Sequence, residues 1–139
     1  MHLVRLMTNQ PAVLISDDDA GIRNLLRAMT ELTGCRVETA ANGVEAMQKM
    51  RASEFDLLLL DLMMPIMSGF EVAEQMREIT PRPAVIVVTA TGQDAEELEQ
   101  LDGHVVSSIV RKPFDVPHLS NLIRATAEAV HEDRLAHAV

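Results

Sequence analysis

Four consecutive leucines, Leu57–Leu60, lie between two aspartates and constrain the fold of this chain more than any other stretch. An unbroken apolar run is typical of a β-strand buried on both faces, as in a parallel sheet covered by helices on each side. The run ends at Asp61. Since ligands of open α/β sheets bind beyond the carboxyl ends of the strands, Asp61 is the first candidate for a functional residue.

The rest of the chain repeats this alternation of strand and helix. Apolar or alternating runs predict strands at 12–16, 35–39, 55–60, 84–88 and 105–110. Helical spacing and capping residues predict helices that begin near Ile22, Asn42, Ser68, Asp94 and Asp115. Strands that alternate with helices indicate parallel βαβ units, so we predict an α/β fold with a doubly wound, five-stranded parallel sheet.

A length of 139 residues corresponds to one domain. Residues 1–10 show no period and are expected to form a leader, residues 11–131 the domain, and residues 132–139 a helical extension or tail. The N-terminal residues lack the layout of a signal peptide, and no apolar run approaches the roughly 20 residues of a membrane span. We therefore expect a cytoplasmic protein.

The formal net charge of −9 argues against nucleic acid and anionic membranes as partners, because binding a phosphate backbone needs an excess of Lys and Arg. An acidic surface favours proteins or cations as partners. The single cysteine, Cys35, excludes an internal disulfide and is expected to be a small buried strand residue. The histidines have spacings that suit no zinc site and are all expected at the surface: His2, His104, His118, His131 and His137.

Polar side chains stand where the predicted strands end. They are Asp17 and Asp18 after the first strand, Asp61 after the third, Thr89 after the fourth and Lys112 after the fifth. Three crowded carboxylates repel one another unless a cation holds them, and Mg²⁺ prefers such oxygen ligands together with a substrate phosphate. Lys112 can offset phosphate charge and Thr89 can donate a hydrogen bond, so the pattern indicates phosphoryl transfer onto Asp61. Asp19, in contrast, is expected to cap a helix.

Four motifs, in this order, resemble the receiver domain of two-component response regulators over about residues 11–130. They are Ile15-Ser16-Asp17-Asp18-Asp19, Leu60-Asp61-Leu62-Met63-Met64-Pro65 with Ser68-Gly69, Val88-Thr89-Ala90, and Lys112-Pro113-Phe114. The resemblance implies a flavodoxin-like fold with strand order 2-1-3-4-5. It also implies a single-domain phosphorylation switch of the chemotaxis-regulator type, which acts through protein contacts or onward phosphotransfer.

The resemblance also implies a role for each matching residue. Asp61 would accept a phosphoryl group from a histidine of a sensor kinase or a histidine phosphotransfer protein. Asp18, Asp61 and the backbone carbonyl of Met63 would bind Mg²⁺ directly, and Asp17 through water. Thr89 would move toward the phosphate, Lys112 would be its counter-charge, and the Lys112–Pro113 bond would be cis. The expected activity is this self-catalysed transfer and a slow autodephosphorylation, not enzymatic turnover, in a monomer or a phosphorylation-dependent dimer.

The sequence departs from the family pattern at Ile109, where the family usually has Tyr or Phe. An aliphatic residue can respond to Thr89, but it provides no aromatic rotamer switch. The segment 101–106 also lacks the usual Gly-Ala step. Both departures fall on the usual output face, so the output is less defined than the site.

Three other functions are compatible with parts of the pattern. An aspartate-nucleophile phosphatase would use Asp-x-Asp in residues 17–19, but it leaves Asp61 unexplained and usually needs more chain. A degenerate receiver would act as a constitutive protein-binding module, which Ile109 keeps open. A flavodoxin-like electron carrier would need aromatic residues around a flavin, and the chain has no Trp or Tyr.

Overall fold

The computed structural model describes residues 10–90 and 95–138. In it, five parallel strands form one sheet in the order β2-β1-β3-β4-β5. The strands are β1 (Ala12–Ser16), β2 (Arg36–Ala40), β3 (Leu57–Leu60), β4 (Ala84–Ala90) and β5 (Val106–Lys112). The helices are α1 (Ala20–Leu32), α2 (Gly43–Ala52), α3 (Gly69–Gln75), α4 (Ala95–Glu99) and α5 (Val116–Ala136). The predicted doubly wound α/β fold with order 2-1-3-4-5 is confirmed.

Two apolar layers cover the sheet, because alternate residues of each central strand point to opposite faces. Leu58 and Leu60 pack in one layer with residues of α2 and α3. Leu57 and Leu59 pack in the other layer with residues of α1 and α5. All four leucines are at most 1% exposed. Burying each one stabilises the fold by about 2 kcal/mol, which accounts for the unbroken apolar run.

The predicted capping residues begin four of the helices. The side chains of Asp19, Asn42, Ser68 and Asp115 each accept a hydrogen bond from the amide three residues further on, at 3.1, 2.8, 3.2 and 2.9 Å. Each bond satisfies a helix N–H that has no partner within the helix. Asp19 is thus a cap, as expected.

Several predicted boundaries move by one or more residues. The central strand begins at Leu57 rather than at 55, and β2 begins at Arg36, so Cys35 is buried but lies just before the strand. Helix α3 ends at Gln75 and passes into a 3₁₀ turn at Met76–Glu78. Burial raises the pKa of the Cys35 thiol, as expected for an inert core cysteine.

The last strand runs through Ser107 and Ser108 and extends beyond its predicted end at residue 110. Val85 pairs with Val106 and Ile86 with Ser108, so the ladder skips Ser107 and contains a bulge there. The strand then continues to Lys112. Most of the leader predicted for residues 1–10 and the start of the fourth helix near residue 94 lie outside the described residues.

Helix α5 runs to Ala136 and contains a buried histidine, so the expectation that all histidines lie at the surface is wrong. His131 is only 2% exposed, whereas His104, His118 and His137 are exposed as expected and His2 lies outside the described ranges. Its helix register, four residues after the buried Ala127, turns it toward the sheet. In the described part of the chain, no helix is both long and apolar enough to cross a membrane.

A buried ionic network joins α5 to the amino end of the sheet. Asp56 is fully buried and accepts hydrogen bonds from the Ala12 amide at 2.8 Å and from Arg134 Nη1 at 3.1 Å. Arg134 also donates to the carbonyl oxygens of Phe55 and Arg82, at 2.7 and 3.1 Å. His131 Nδ1 lies 3.3 Å from Asp56. The last turns of α5 are therefore fastened to the starts of β1, β3 and β4.

We predict that Arg134→Met lowers the free energy of unfolding by about 3 kcal/mol, because it leaves the Asp56 carboxylate buried without its cationic partner. Urea denaturation followed by far-UV circular dichroism measures this, since the chain has no Trp for fluorescence. Arg124→Met is the matched control: Arg124 lies on the same helix, but it is exposed, and among the described residues it bonds Asn121 alone. Its effect should stay within about 0.5 kcal/mol. Equal effects of both substitutions would contradict the role assigned to Arg134.

Candidate functional site

The candidate site lies at the carboxyl edge of the sheet, where β1 and β3 end side by side. Ser16 pairs with Leu60, and the Asp61 amide donates to the Ser16 carbonyl at 3.0 Å, so Asp17 and Asp61 leave the sheet together. Both are buried, at 1% and 6% exposure, while Asp18 is exposed. One carboxylate oxygen from each of Asp17, Asp18 and Asp61 lies within 4.8 Å of the others. The structure therefore brings together the three predicted carboxylates.

Lys112 reaches this cluster from the end of β5. Its Nζ lies 2.8 Å from Asp17 Oδ2 and 3.5 Å from Asp61 Oδ2. Burial opposes the charged form of the ammonium group. The hydrogen bond to Asp17 and the negative charges of Asp61 and Asp17 outweigh it, and they raise the pKa of Lys112 above its ordinary value. The lysine is therefore held charged between two acids.

The pKa of Asp61 is also raised above its ordinary value. Burial is the largest cause and the charge of Asp17 the next. Lys112 and the Met63 amide, which donates to Asp61 Oδ1 at 3.3 Å, act in the opposite direction. One lysine thus compensates the carboxylates incompletely, and this leaves an excess of negative charge at the site.

Thr89 and Ile109 occupy adjacent strands near the cluster. Thr89 lies within β4 and is fully buried, and its hydroxyl has no hydrogen-bond partner among the described residues. An unpaired buried hydroxyl costs free energy, so this group is available to a new acceptor. Ile109 pairs with Val87 in the sheet and is 42% exposed. The Lys112–Pro113 peptide bond is cis, as the resemblance implies.

The loop after Asp61 presents one exposed methionine at the site and buries another. The Met63 side chain is 61% exposed, whereas Met64 is 8% exposed and its sulfur accepts a hydrogen bond from the Ser16 hydroxyl at 3.2 Å. The loop closes where the Gly69 amide donates to the Leu62 carbonyl at 2.9 Å. A Cβ atom at Gly69 would overlap the carbonyl oxygen of Asp61, so only glycine allows this approach.

Two features of this edge went unrecognised at the level of sequence. The motif that contains Ser16 does not predict its bond to Met64, which joins residues 48 positions apart. Ile66 has a positive φ of 71° and is 80% exposed, which no local pattern indicates for a β-branched residue. Such contacts depend on how the loop crosses the end of β1, and this is decided by the tertiary structure.

The donor set fits a hard divalent cation. Carboxylate oxygens are the ligands that Mg²⁺ prefers, and it is usually held by one or two of them while it keeps several waters. The cluster has one exposed member, Asp18, and two buried ones, so it is open to solvent on one side. Burial and the charge of Asp17 disfavour the ionised form of Asp61. A cation bound at the cluster would favour that form.

Comparison with known proteins gives the same picture. The family model described as the response regulator receiver domain matches residues 13–124. The chain belongs to this family. Receiver domains of two-component systems interact with histidine kinases and generally bind Mg²⁺ at an acidic pocket, which corresponds here to the cluster of Asp17, Asp18 and Asp61.

Individual receiver proteins match over most of this chain. The transcriptional regulatory protein ResD of Bacillus subtilis is 41% identical over 107 residues, which cover 77% of this chain and 44% of ResD. A CpxR homolog of Haemophilus influenzae is 38% identical over 113 residues, which cover 81% of this chain and 48% of that protein. The chain thus spans about half the length of these curated relatives.

A solved structure shows the same architecture. The CheY-like receiver domain protein of Methanospirillum hungatei superposes with a TM-score of 0.81 at 26% identity, covering 89% of this chain and 98% of that one. The order of the strands is thus that of a receiver domain.

We predict that Asp61→Asn stabilises this receiver domain at neutral pH in the absence of divalent cations, by about 1 kcal/mol. A raised pKa means that folded Asp61 binds its proton more tightly than unfolded Asp61. The wild-type free energy of unfolding therefore falls as the pH rises from the ordinary aspartate pKa through the raised one. The variant lacks this loss, so its advantage should be largest at neutral pH and shrink in acid.

Urea denaturation at acidic and neutral pH, with and without Mg²⁺, checks this expectation. Mg²⁺ should stabilise the wild type more than the variant, because binding to the folded state adds to its stability. A variant that is less stable than wild type at neutral pH without Mg²⁺ would show that the Asp61 charge does not destabilise the fold.

Proposed function

We propose that this receiver domain accepts a phosphoryl group on Asp61 from a phosphohistidine of a sensor kinase or a histidine phosphotransfer protein. The observation that carries the proposal is the position of Lys112 Nζ, which lies within 4 Å of both Asp17 and Asp61 at the open edge of the sheet. In this arrangement the Asp61 carboxylate is the nucleophile, and the Lys112 ammonium group is the counter-charge for the phosphate oxygens.

In this reaction an Asp61 carboxylate oxygen attacks phosphorus, an O–P bond forms, and the N–P bond to the histidine breaks. The electron pair of that bond returns to the imidazole, which takes up a proton. The protein's contribution is positioning and charge neutralisation. Lys112 stays protonated throughout, which its raised pKa favours.

Asp18, Asp61 and the backbone carbonyl of Met63 are the proposed direct ligands of Mg²⁺, with Asp17 acting through water. Asp17 is already bonded to Lys112 at 2.8 Å and to the Asp19 amide at 2.9 Å, which supports an indirect role. When bound, the ion would neutralise charge on the oxygens of the transferring group. The proposed requirement for Mg²⁺ rests on the donor set at this edge.

Thr89 is the proposed sensor of the phosphoryl group, because its buried hydroxyl has no other partner among the described residues. A phosphate oxygen would give it an acceptor. A shift of Thr89 would then be transmitted to Ile109 on β5, the strand paired with β4. The partly exposed Ile109 is the proposed link between the site and the surface that a partner reads.

Labelling with acetyl phosphate and Mg²⁺, followed by Phos-tag electrophoresis, tests the proposed acceptor. We expect the wild type to shift at one phosphoryl group per chain, and Asp61→Asn and an EDTA-treated sample not to shift. Asp56→Asn is unsuitable as a control because it disturbs the buried network. Asp102→Asn, in the partly exposed turn before β5, is the surface control and should label normally.

Two results would contradict the proposal. Labelling of Asp61→Asn would place the acceptor elsewhere. Failure of the wild type with acetyl phosphate, and again with a phosphorylated histidine kinase, would favour the second candidate, a constitutive protein-binding module. The exposed Ile109 in place of an aromatic switch residue is the observation that keeps this candidate open. Continuous release of phosphate from a generic ester would instead indicate a phosphatase.

The exposed Met63 side chain predicts a slow loss of the phosphoryl group from Asp61. A thioether neither orients nor activates an attacking water, whereas a carboxylate or amide can do both. We therefore expect Met63→Glu and Met63→Asn to shorten the lifetime of the phosphorylated state severalfold and Met63→Leu to preserve it. Decay of phosphorylated protein on Phos-tag gels measures this. Equal lifetimes for the Glu and Leu variants would contradict a role for Met63.

The proposed output is contact with a protein partner or transfer of the phosphoryl group to a histidine phosphotransfer protein, not direct contact with nucleic acid. The net charge of −9 supports protein partners. Relatives named as transcriptional regulators support an output that ends at gene expression. A stand-alone action, a cytoplasmic location and dimerisation on phosphorylation remain predictions from the sequence.

A further inference from the structure

Arg23, in the first turn of α1, directs its side chain to the backbone beside the acidic cluster. Its Nη1 donates to the backbone carbonyl oxygen of Asp17 at 2.8 Å, and the side chain is half-buried. Other arginines, such as Arg27 and Arg77, pair with carboxylates. Within the described residues, Arg23 has no carboxylate within ion-pair distance, although it lies beside the acidic cluster. Its guanidinium group therefore fixes a peptide group and not a side chain.

The bonded carbonyl belongs to the peptide that joins Asp17 to Asp18. A peptide group is planar, so holding its oxygen also fixes the direction in which the chain enters Asp18. The Asp17 side chain has its own anchors, Lys112 at 2.8 Å and the Asp19 amide at 2.9 Å. Asp18 is exposed, and its carboxylate has no hydrogen bond among the described residues. The backbone therefore sets the direction of the Asp18 Cα–Cβ bond, and with it the positions from which the carboxylate can reach the Asp61 oxygens.

We propose that Arg23 is a positioning residue for the cation site. It holds the Asp17–Asp18 peptide so that the Asp18 carboxylate faces Asp17 and Asp61. This inference rests on the proposed binding of Mg²⁺ and adds a residue that the site motifs do not include.

Charge and geometry predict opposite effects of removing Arg23. A nearby positive charge repels Mg²⁺, so if only charge mattered, a neutral substitution would strengthen binding. If Arg23 orients a ligand, the same substitution weakens binding, as is usual when a group that supports a metal ligand is removed. The sign of the change in affinity therefore distinguishes the two roles.

Titration of the whole chain with Mg²⁺ by isothermal calorimetry provides the test. We expect Arg23→Met to raise the Kd for Mg²⁺ about tenfold. Arg23→Lys retains a donor and should recover part of the affinity. Arg27→Met is the matched control, one turn further along α1, where the arginine is exposed and pairs with Glu31 at 3.0 Å; its Kd should equal that of wild type.

An unchanged or lower Kd for Arg23→Met would overturn the positioning role while leaving the proposed function intact. No Mg²⁺ binding by the wild type would overturn both the proposed cation site and the role of Arg23. Urea denaturation without Mg²⁺ shows whether each variant is folded. If Arg23→Met does not fold, Arg23→Ala takes its place, because alanine favours the helix and has no side-chain donor. A Kd for Arg23→Ala equal to or below that of wild type would then reject the proposal.

Discussion

The attraction between one lysine and two buried carboxylates is the interaction on which the functional edge depends. Asp17 and Asp61 leave adjacent strands at the same level, and their charges would oppose folding at this edge without compensation. Lys112, at the end of β5, compensates these charges with its ammonium group, which lies between the two carboxylates. Because the compensation is incomplete, the edge retains an affinity for further positive charge, which is the property that a cation-dependent phosphoryl acceptor needs.

At the opposite edge of the same sheet, the buried carboxylate is paired with a cation. Asp56 is fully buried, but its carboxylate is engaged by a backbone amide and by Arg134, and the same arginine bonds two backbone carbonyls. These bonds fasten the end of α5 to the starts of the strands. At one edge the buried carboxylate is thus paired with an arginine, while the other edge keeps a partly compensated cluster that is open to solvent at Asp18. The amino ends of the strands thus carry a stabilising ion pair, and the carboxyl ends carry the candidate functional site.

The architecture could be predicted because its signals are local. Apolar runs, helical spacing and four capping residues indicated the order of elements, and the strand-end positions of Asp17, Asp18, Asp61, Thr89 and Lys112 indicated one site. Two predictions were wrong in detail. The central strand starts at Leu57 and not at residue 55, although backbone groups of Asp56 already bond those of Ala12 and Ala84. His131 was assigned to the surface because a polar residue near a chain end carries no signal of burial.

By itself, the sequence determined the fold class and the types of residue at the carboxyl ends of the strands, since these follow from periodicity and from the residues that end each strand. The strand order was implied only by the resemblance to receiver domains. Only the tertiary structure decided which groups meet. The bond from Ser16 to Met64 and the contact of Arg134 with Asp56 join positions 48 and 78 residues apart in the chain. Distances of this kind depend on how helices and loops pack across the sheet, and no local pattern of residues encodes them.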